Sequence, residues 1–281
     1  MMTTLPNAHH SLNCRGKLIE LAEPRIMGIL NVTPDSFSDG GRFNSESAAL
    51  HHVEKMMEDG ASIIDIGAQS TRPKAEFISA EEEIRRLGRI ISAVKADFPD
   101  LLISLDTFHS EVVKFGFKEG IDLVNDISAG QFDPKMFKTV ADTGLPYILM
   151  HVHPTYGGMH EKISYEDITV SVNKFLLVKA RELSEAGVKD IILDPGFGFG
   201  KTPDDQHKLL DETQHIGLGR YPLLIGISRK SFIYKPLGKL PADITEETQK
   251  LHRKVLEKGA NILRVHDVAA TKKTVEEWMQ I

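Results

Sequence analysis

The sequence predicts a single α/β domain closed as a (β/α)8 barrel, the TIM-barrel architecture. Three observations predict it. Eight short apolar runs alternate with longer segments of helical periodicity from one end of the chain to the other. Each run stops in polar side chains at its C-terminal end, the rim that carries the chemistry in this architecture. The 281 residues contain no linker, low-complexity stretch or charge block to divide them, at a length near the roughly 250 residues typical of such barrels. An open doubly wound sheet is the competing arrangement, since right-handed βαβ units build both, and eight repeats favour closure. The expected organisation is an N-terminal extension over residues 1–24 and the barrel over 25–281.

The elements follow in order. The first strand is expected at 26–31, ending in "ILNVT", and the second at 63–67, running into "IIDIGAQSTR". A helix is read from "SAEEEIRRLGRIISAVKADF": Ser79 and Glu82 fit a capping box, and Ile84, Leu87, Ile91 and Val94 recur at helical spacing. Strands come next at 102–106 ("ISLDTF"), 123–126 ("LVNDIS") and 147–151 ("ILMHVH"). The helix "SYEDITVSVNKFLLVKARELSEAG" stops at Gly187 in the C-cap manner. The sixth strand, 191–194 ("IILDPG"), leads to Thr202-Pro203, which reads as an N-cap and first helical position. The last strands, 223–226 ("IGISRK") and 262–265 ("ILRVHD"), flank the helix "TEETQKLHRKVLEKGA", with Gly259 beyond its last turn.

Composition narrows the function classes. A formal net charge of -6 favours neither nucleic acid nor an anionic membrane as partner. Apolar residues make up 41% of the chain, enough for a real core. The single cysteine, Cys14, excludes an intramolecular disulfide and suits a reducing cytosol, so a cytoplasmic location is expected. The N-terminus lacks the apolar core of a signal peptide, and no apolar run approaches the roughly 18 residues of a membrane span. The stretch "DPGFGFGKT", Asp194–Thr202, invites reading as a nucleotide phosphate loop. That motif requires glycine where Pro195 stands, so another reason is needed for the glycines. His151 and His153 would share one face of a strand, but only His266 joins them from a neighbouring strand end, and a zinc centre is not expected. His51 and His52 point apart on a helix, His9 and His10 lie in the N-terminal tail, and Cys14 has no base nearby in sequence.

The strand ends carry the informative residues. Singly, each has a plain structural reading: an aspartate may cap the next helix, an asparagine may satisfy loop backbone, an arginine may form a surface ion pair. Eight convergent polar ends are harder to explain as eight independent caps. Asp106, Asn125 and Asp194 offer acceptors and an amide, which suit a flat heterocycle bearing N–H and amino donors. Lys230, Arg264 and His266 offer cationic donors for an anion such as phosphate. Asn31 offers a neutral oxygen to Mg²⁺, which typically takes one or two protein oxygens plus phosphate oxygens. A period of two puts Ser104 on the face of Asp106, and Arg264 on that of His266.

The chain resembles the dihydropteroate synthases. The resemblance rests on "MGILNVTPDSFSDGG", "DIGAQSTRP", "SLDT", "VNDIS", "LDPGFGFGKT", "GISRKSF" and "ILRVHDV", which span nearly the whole chain in family order. It implies a barrel, usually a homodimer, that joins 6-hydroxymethyl-7,8-dihydropterin diphosphate to p-aminobenzoate, giving 7,8-dihydropteroate and diphosphate with Mg²⁺ assistance along an SN1-like path. It implies that Asp106, Asn125, Asp194 and Lys230 hold the pterin, and that Asn31, Arg264 and His266 face the diphosphate, with Mg²⁺ at Asn31. It further implies two loops, one with Asp35 and Phe37 and one with Thr71, Arg72 and Pro73, that close over a p-aminobenzoate pocket lined by Phe199, Lys230 and Ser231. Of these, Asp106, Lys230, Arg264, His266, Asp35, Thr71 and Arg72 are the expected catalytic set, and the enzyme is expected to be a sulfonamide target. Three features depart from the family pattern: Gln69 where glutamate is frequent, Lys74 where glycine is common, and "MHVHPTYGGMH" after the fifth strand. A methyltransferase domain serving a corrinoid shares a similar barrel and the Asp/Asn pterin recognition, but needs neither the anion set nor the "NVTPDSFSDGG" and "STRP" loops. A silent pterin-binding paralogue is disfavoured by seven intact segments.

Overall fold

In the computed structural model, residues 10–32, 42–72 and 75–280 are described, 42–45 as backbone only. The strands β3 (Arg25–Asn31), β4 (Ile63–Gly67), β5 (Leu102–Asp106), β6 (Leu123–Asp126), β7 (Tyr147–Met150), β8 (Ile191–Asp194), β9 (Leu224–Ile225) and β10 (Ile262–Val265) form one parallel sheet in the order β8-β7-β6-β5-β4-β3-β10-β9. A parallel bridge between Leu193 and Leu223 joins its two edges and closes the barrel. The helices α1 (Arg42–Glu58), α2 (Ala80–Leu87), α3 (Ile90–Asp97), α4 (Ser110–Glu119), α5 (Met136–Thr143), α6 (Ile168–Ala186), α7 (Pro203–Asp211), α8 (Ser231–Tyr234), α9 (Thr245–Leu256) and α10 (Val268–Met279) connect the strands. No helix among the described residues is long and apolar enough to cross a membrane.

The eight expected strands are present, with small shifts at their ends. β7 stops at Met150, one residue early, and the seventh barrel strand is Leu224–Ile225, with Leu223 forming an isolated bridge to Leu193 and Gly226 beyond its end. The expected long helix after residue 79 is two helices. Gly88, at φ 53° and ψ -121°, ends α2, and its N–H bonds Ile84 O. Half of the expected capping box forms. Ser79 Oγ accepts from Glu82 N at 3.2 Å, but the Glu82 carboxylate turns to Arg85 and Arg86 at 2.6–2.7 Å. α7 has the full box, with Thr202 and Asp205 reciprocally bonded and Pro203 at its first position.

The period of two sorts each strand into an outward face under the helices and an inward face. The lowest inward residues, one per strand, are Met27, Ile63, Leu102, Leu123, Ile148, Ile192, Leu224 and Ile262, and they form one apolar cluster. Two residues further along, five of the eight strands turn polar, with Asp65, Ser104, Asn125, Asp194 and Arg264, while the other three carry Ile29, Met150 and Gly226. The floor is therefore apolar, the middle polar, and the chemistry sits at the C-terminal mouth.

The stretch expected as an extension contributes an antiparallel hairpin, β1 (Ser11–Cys14) and β2 (Lys17–Glu20). Its Leu12, Cys14 and Ile19, with Leu21, pack on the apolar floor and plug the lower end of the barrel. Burial pushes the Cys14 thiol up to about 12, so it serves as packing and not as a nucleophile. Leu12→Ala, at a site 2% exposed, is expected to cost about 2–5 kcal/mol of stability while leaving turnover intact. Urea unfolding alongside an activity assay checks this, and an unchanged midpoint would mean the plug carries no load.

Candidate active site

The register of β4, β5 and β6 places Asp106 beside Gly67 on one neighbour and Asn125 on the other. Two carboxylates then meet one guanidinium. Arg264 Nε donates to Asp65 Oδ2 at 2.6 Å, and its Nη2 donates to Asp106 Oδ2 at 2.7 Å. The Asn125 side-chain amide also donates to Asp65 Oδ2, at 3.0 Å. Asp65 is wholly buried, and such a charge is tolerable only when paired in this way. Burial and the Asp65 charge push the Asp106 carboxyl up to about 7, against the pull of Arg264. Burial opposes the charge on Arg264, but Asp65 and Asp106 outweigh it and hold the guanidinium above its ordinary value. Asp65 Oδ1 and Ser104 Oγ are buried without a hydrogen-bond partner among the described residues. Leaving such atoms unmet costs about 1–3 kcal/mol each, a cost that a ligand bearing N–H groups would relieve.

Asp194 closes the other side. Its Oδ1 accepts from Gly196 N at 2.7 Å, and burial raises its carboxyl. The following glycines turn the chain sharply. Gly196 has φ +72°, and a Cβ there would lie 2.0 Å from the His151 carbonyl oxygen. Lys201 explains why this turn holds. Its buried Nζ donates to the carbonyl oxygens of Gly196 at 2.7 Å, Phe199 at 3.1 Å and His151 at 3.4 Å. Burial pushes this amine down to about 7, opposed by the charge of Asp194. The lysine of the apparent phosphate loop is thus a staple inside the protein.

The cations line the remaining wall. Lys230 Nζ sits 4.6 Å from the centre of the Phe199 ring, a cation–π contact. Burial and Arg264 push it down to about 8, with Asp194 and Asp106 pulling the other way. His266 lies at the rim, its Nδ1 3.1 Å from Ser228 Oγ. Desolvation in the mouth, then the charges of Arg229 and Arg264, hold its imidazole well below the ordinary value. Arg229, in left-handed backbone at φ 57°, is tied to Asp267 Oδ1 at 2.7 Å. Ser231 opens α8, and Asn31 ends β3 exposed at the rim.

The segment after β4 and the loop after β7 meet at the rim of this site. Thr71 and Arg72 lie in the segment after β4, whereas Asp35, Phe37, Pro73 and Lys74 fall outside the described residues. Gln69 organises that segment. Its Nε2 donates to Ser70 O, Glu76 O and Tyr156 Oη at 2.7–3.0 Å, and its Oε1 accepts from Ile78 N at 2.9 Å. A carboxylate could not donate to those carbonyls, so the glutamine goes with the neighbouring Tyr156 that marks the unusual loop after β7. His151 packs outward under α6 against Phe175, ring centres 5.0 Å apart, while His153 contacts Thr155. The two rings do not share a site, and no cluster of three or more metal-ligating side chains is found among the described residues.

The structure thus gathers Asp106, Asn125, Asp194, Lys230, Arg264 and Phe199 in one mouth, with His266, Ser231 and Asn31 at its edge. The sequence reasoning missed Asp65 and the burial of Lys201.

The family described as "Pterin binding enzyme" matches residues 27–266. The chain is 42% identical over 272 residues to the dihydropteroate synthase of Haemophilus influenzae, covering 95% of this chain and 97% of the relative. It is similar to the Xanthomonas albilineans dihydropteroate synthase with 4-aminobenzoic acid, at a TM-score of 0.90 and 37% identity, covering 97% of this chain and 98% of that one. The same enzyme in complex with 7,8-dihydropteroate gives a TM-score of 0.86 at 35% identity, covering 96% and 98%. The chain belongs to the dihydropteroate synthase family of pterin-binding enzymes.

Proposed function

We propose that this mouth condenses 6-hydroxymethyl-7,8-dihydropterin diphosphate with p-aminobenzoate to 7,8-dihydropteroate and diphosphate. The observation that carries the reading is the buried acceptor floor, in which Asp65 Oδ1 and Ser104 Oγ lack a partner among the described residues and the Arg264 guanidinium is bonded to both Asp65 and Asp106. A pterin is a flat ring edged with N–H and amino donors, which Asp106, Asp194 and the Asn125 amide can receive. Its diphosphate tail then reaches Arg264, Lys230 and His266 at the edge.

The C–O bond to diphosphate breaks with its electron pair leaving on the phosphate. The arylamine nitrogen forms the new C–N bond and sheds a proton. A weak nucleophile favours bond breaking first, and the Asp106 carboxylate stabilises the cationic methylene electrostatically. The Thr71–Arg72 segment over the mouth excludes water that would capture that cation. Asn31 fits Mg²⁺ by its chemistry, since an exposed amide oxygen at the rim leaves the other ligand positions to phosphate oxygens. The bound ion would neutralise charge on the leaving diphosphate. The test is diphosphate release from the pterin substrate with and without p-aminobenzoate, together with detection of dihydropteroate. Tight pterin binding with no product would overturn the reading.

A pH dependence follows from Lys230. Its positive charge is what balances the diphosphate, and burial lowers its pKa to about 8. Above that pH the charge is lost, so kcat/KM for the pterin substrate falls about tenfold per pH unit. Lys230→Arg is expected to remove this alkaline limb even if overall turnover drops. A limb unmoved in that variant would assign it to another group.

A further inference from the structure

A continuous chain of contacts crosses the rim outside the floor described above. Lys230 Nζ lies 4.6 Å from the Phe199 ring centre. Phe199 stacks on His160, with centroids 5.4 Å apart and planes 15° from parallel. His160 Nε2 lies 2.8 Å from the Thr71 carbonyl oxygen, which can only accept, so the ring carries its proton on Nε2. One imidazole therefore holds an aromatic wall of the mouth by its face and the backbone of the opposite loop by its edge. A second anchor from the same post-β7 loop fixes the neighbouring residue: Tyr156 Oη donates to Ser70 O at 3.1 Å and accepts from Gln69 Nε2 at 3.0 Å. With Ser70 and Thr71 both pinned, the spacing between their loop and Phe199 is set by the size and tilt of the His160 ring.

We propose that His160 is a specificity-determining positioning residue for the arylamine substrate, fixing the width of the slot between the Thr71 segment and Phe199. This rests on the synthase reading for the identity of the arylamine. The two functions separate in simple substitutions: glutamine retains a donor without a ring, and phenylalanine retains the ring without a donor.

The experiment compares H160Q, H160F and H160A with the unaltered enzyme. KM for p-aminobenzoate is expected to rise at least tenfold in H160A and less in the two half-conservative variants. KM for the pterin diphosphate and the urea midpoint should stay within twofold and within error, respectively. Preference for p-aminobenzoate over its bulkier 3-chloro derivative should fall at least fivefold in H160A. Calorimetric binding of p-aminobenzoate, with diphosphate and 6-hydroxymethylpterin present, supplies a readout independent of turnover. If the unaltered enzyme makes no product yet H160A weakens that binding, the synthase reading falls and the positioning role stands. Unchanged arylamine KM, affinity and selectivity in all three variants would overturn the proposal. So would a parallel rise of both KM values with a lowered midpoint, which marks general unfolding.

Discussion

Arg264→Met is expected to lower kcat/KM by about a thousandfold and to destabilise the protein as well. Arg264 is the shared partner of Asp65 and Asp106, at 2.6 Å and 2.7 Å. Its removal leaves a wholly buried carboxylate and a second, mostly buried one without their counter-charge. Breaking a buried pair by removing one partner typically costs about 3–5 kcal/mol. The same change deletes a positive charge at the leaving group, and about 1.4 kcal/mol corresponds to each tenfold in rate. The two losses can be separated. Combining Arg264→Met with Asp65→Asn removes one orphaned charge and should recover much of the urea midpoint but little of the turnover. Lysine at this position cannot fork between two carboxylates, so Arg264→Lys should resemble methionine in rate more than in stability. Near-normal kinetics in Arg264→Met would take this residue out of the reaction.

Lys201→Met is expected to lose about 2–4 kcal/mol of stability and at least a hundredfold in kcat/KM, although Lys201 faces three carbonyls and not the open mouth. Methionine preserves most of the volume, so the loss isolates the ammonium. Three carbonyl oxygens lose their donor, and Asp194 loses a nearby positive charge. The turn from Gly196 to Phe199 would then relax, carrying with it both the Asp194 contact at Gly196 N and the ring beneath Lys230. Urea unfolding reads the first effect, and steady-state kinetics with each substrate varied in turn reads the second. A stable, fully active Lys201→Met enzyme would show that the glycine turn holds itself.

The same residues show how much could be read from sequence. Closure of the barrel was legible because eight apolar runs each deliver polar ends, and the period of two separates Met27 from Ile26 or Ile63 from Ile64 without any coordinates. Asp65 was legible too, though missed. A charged residue inside the apolar run "IIDIG", two positions past inward-facing Ile63, has to be buried and therefore paired. The break at Gly88 escaped because Ile84, Leu87, Ile91 and Val94 keep helical spacing across it, so the apolar stripe looks unbroken. Lys201 gave no local signal. Its burial depends on the end of β7 bringing the His151 carbonyl within reach, a contact 50 residues away in sequence. The Gln69–Tyr156 pairing is likewise visible only once two loops meet. Seen singly, the glutamine is a departure without a cause. Together with Tyr156 it becomes a donor where a carboxylate would have none.

One crystal structure tests the central claim most directly, that a single mouth of this barrel receives both halves of the product. With 7,8-dihydropteroate bound, the pterin ring is expected among Asp106, Asn125 and Asp194, with donors meeting Asp65 Oδ1 or Ser104 Oγ directly or through one water. The aminobenzoate ring is expected along Phe199 between Lys230 and the Thr71 segment. Product seated elsewhere, or a pterin that leaves Asp106, Asn125 and Asp194 untouched, would contradict the account.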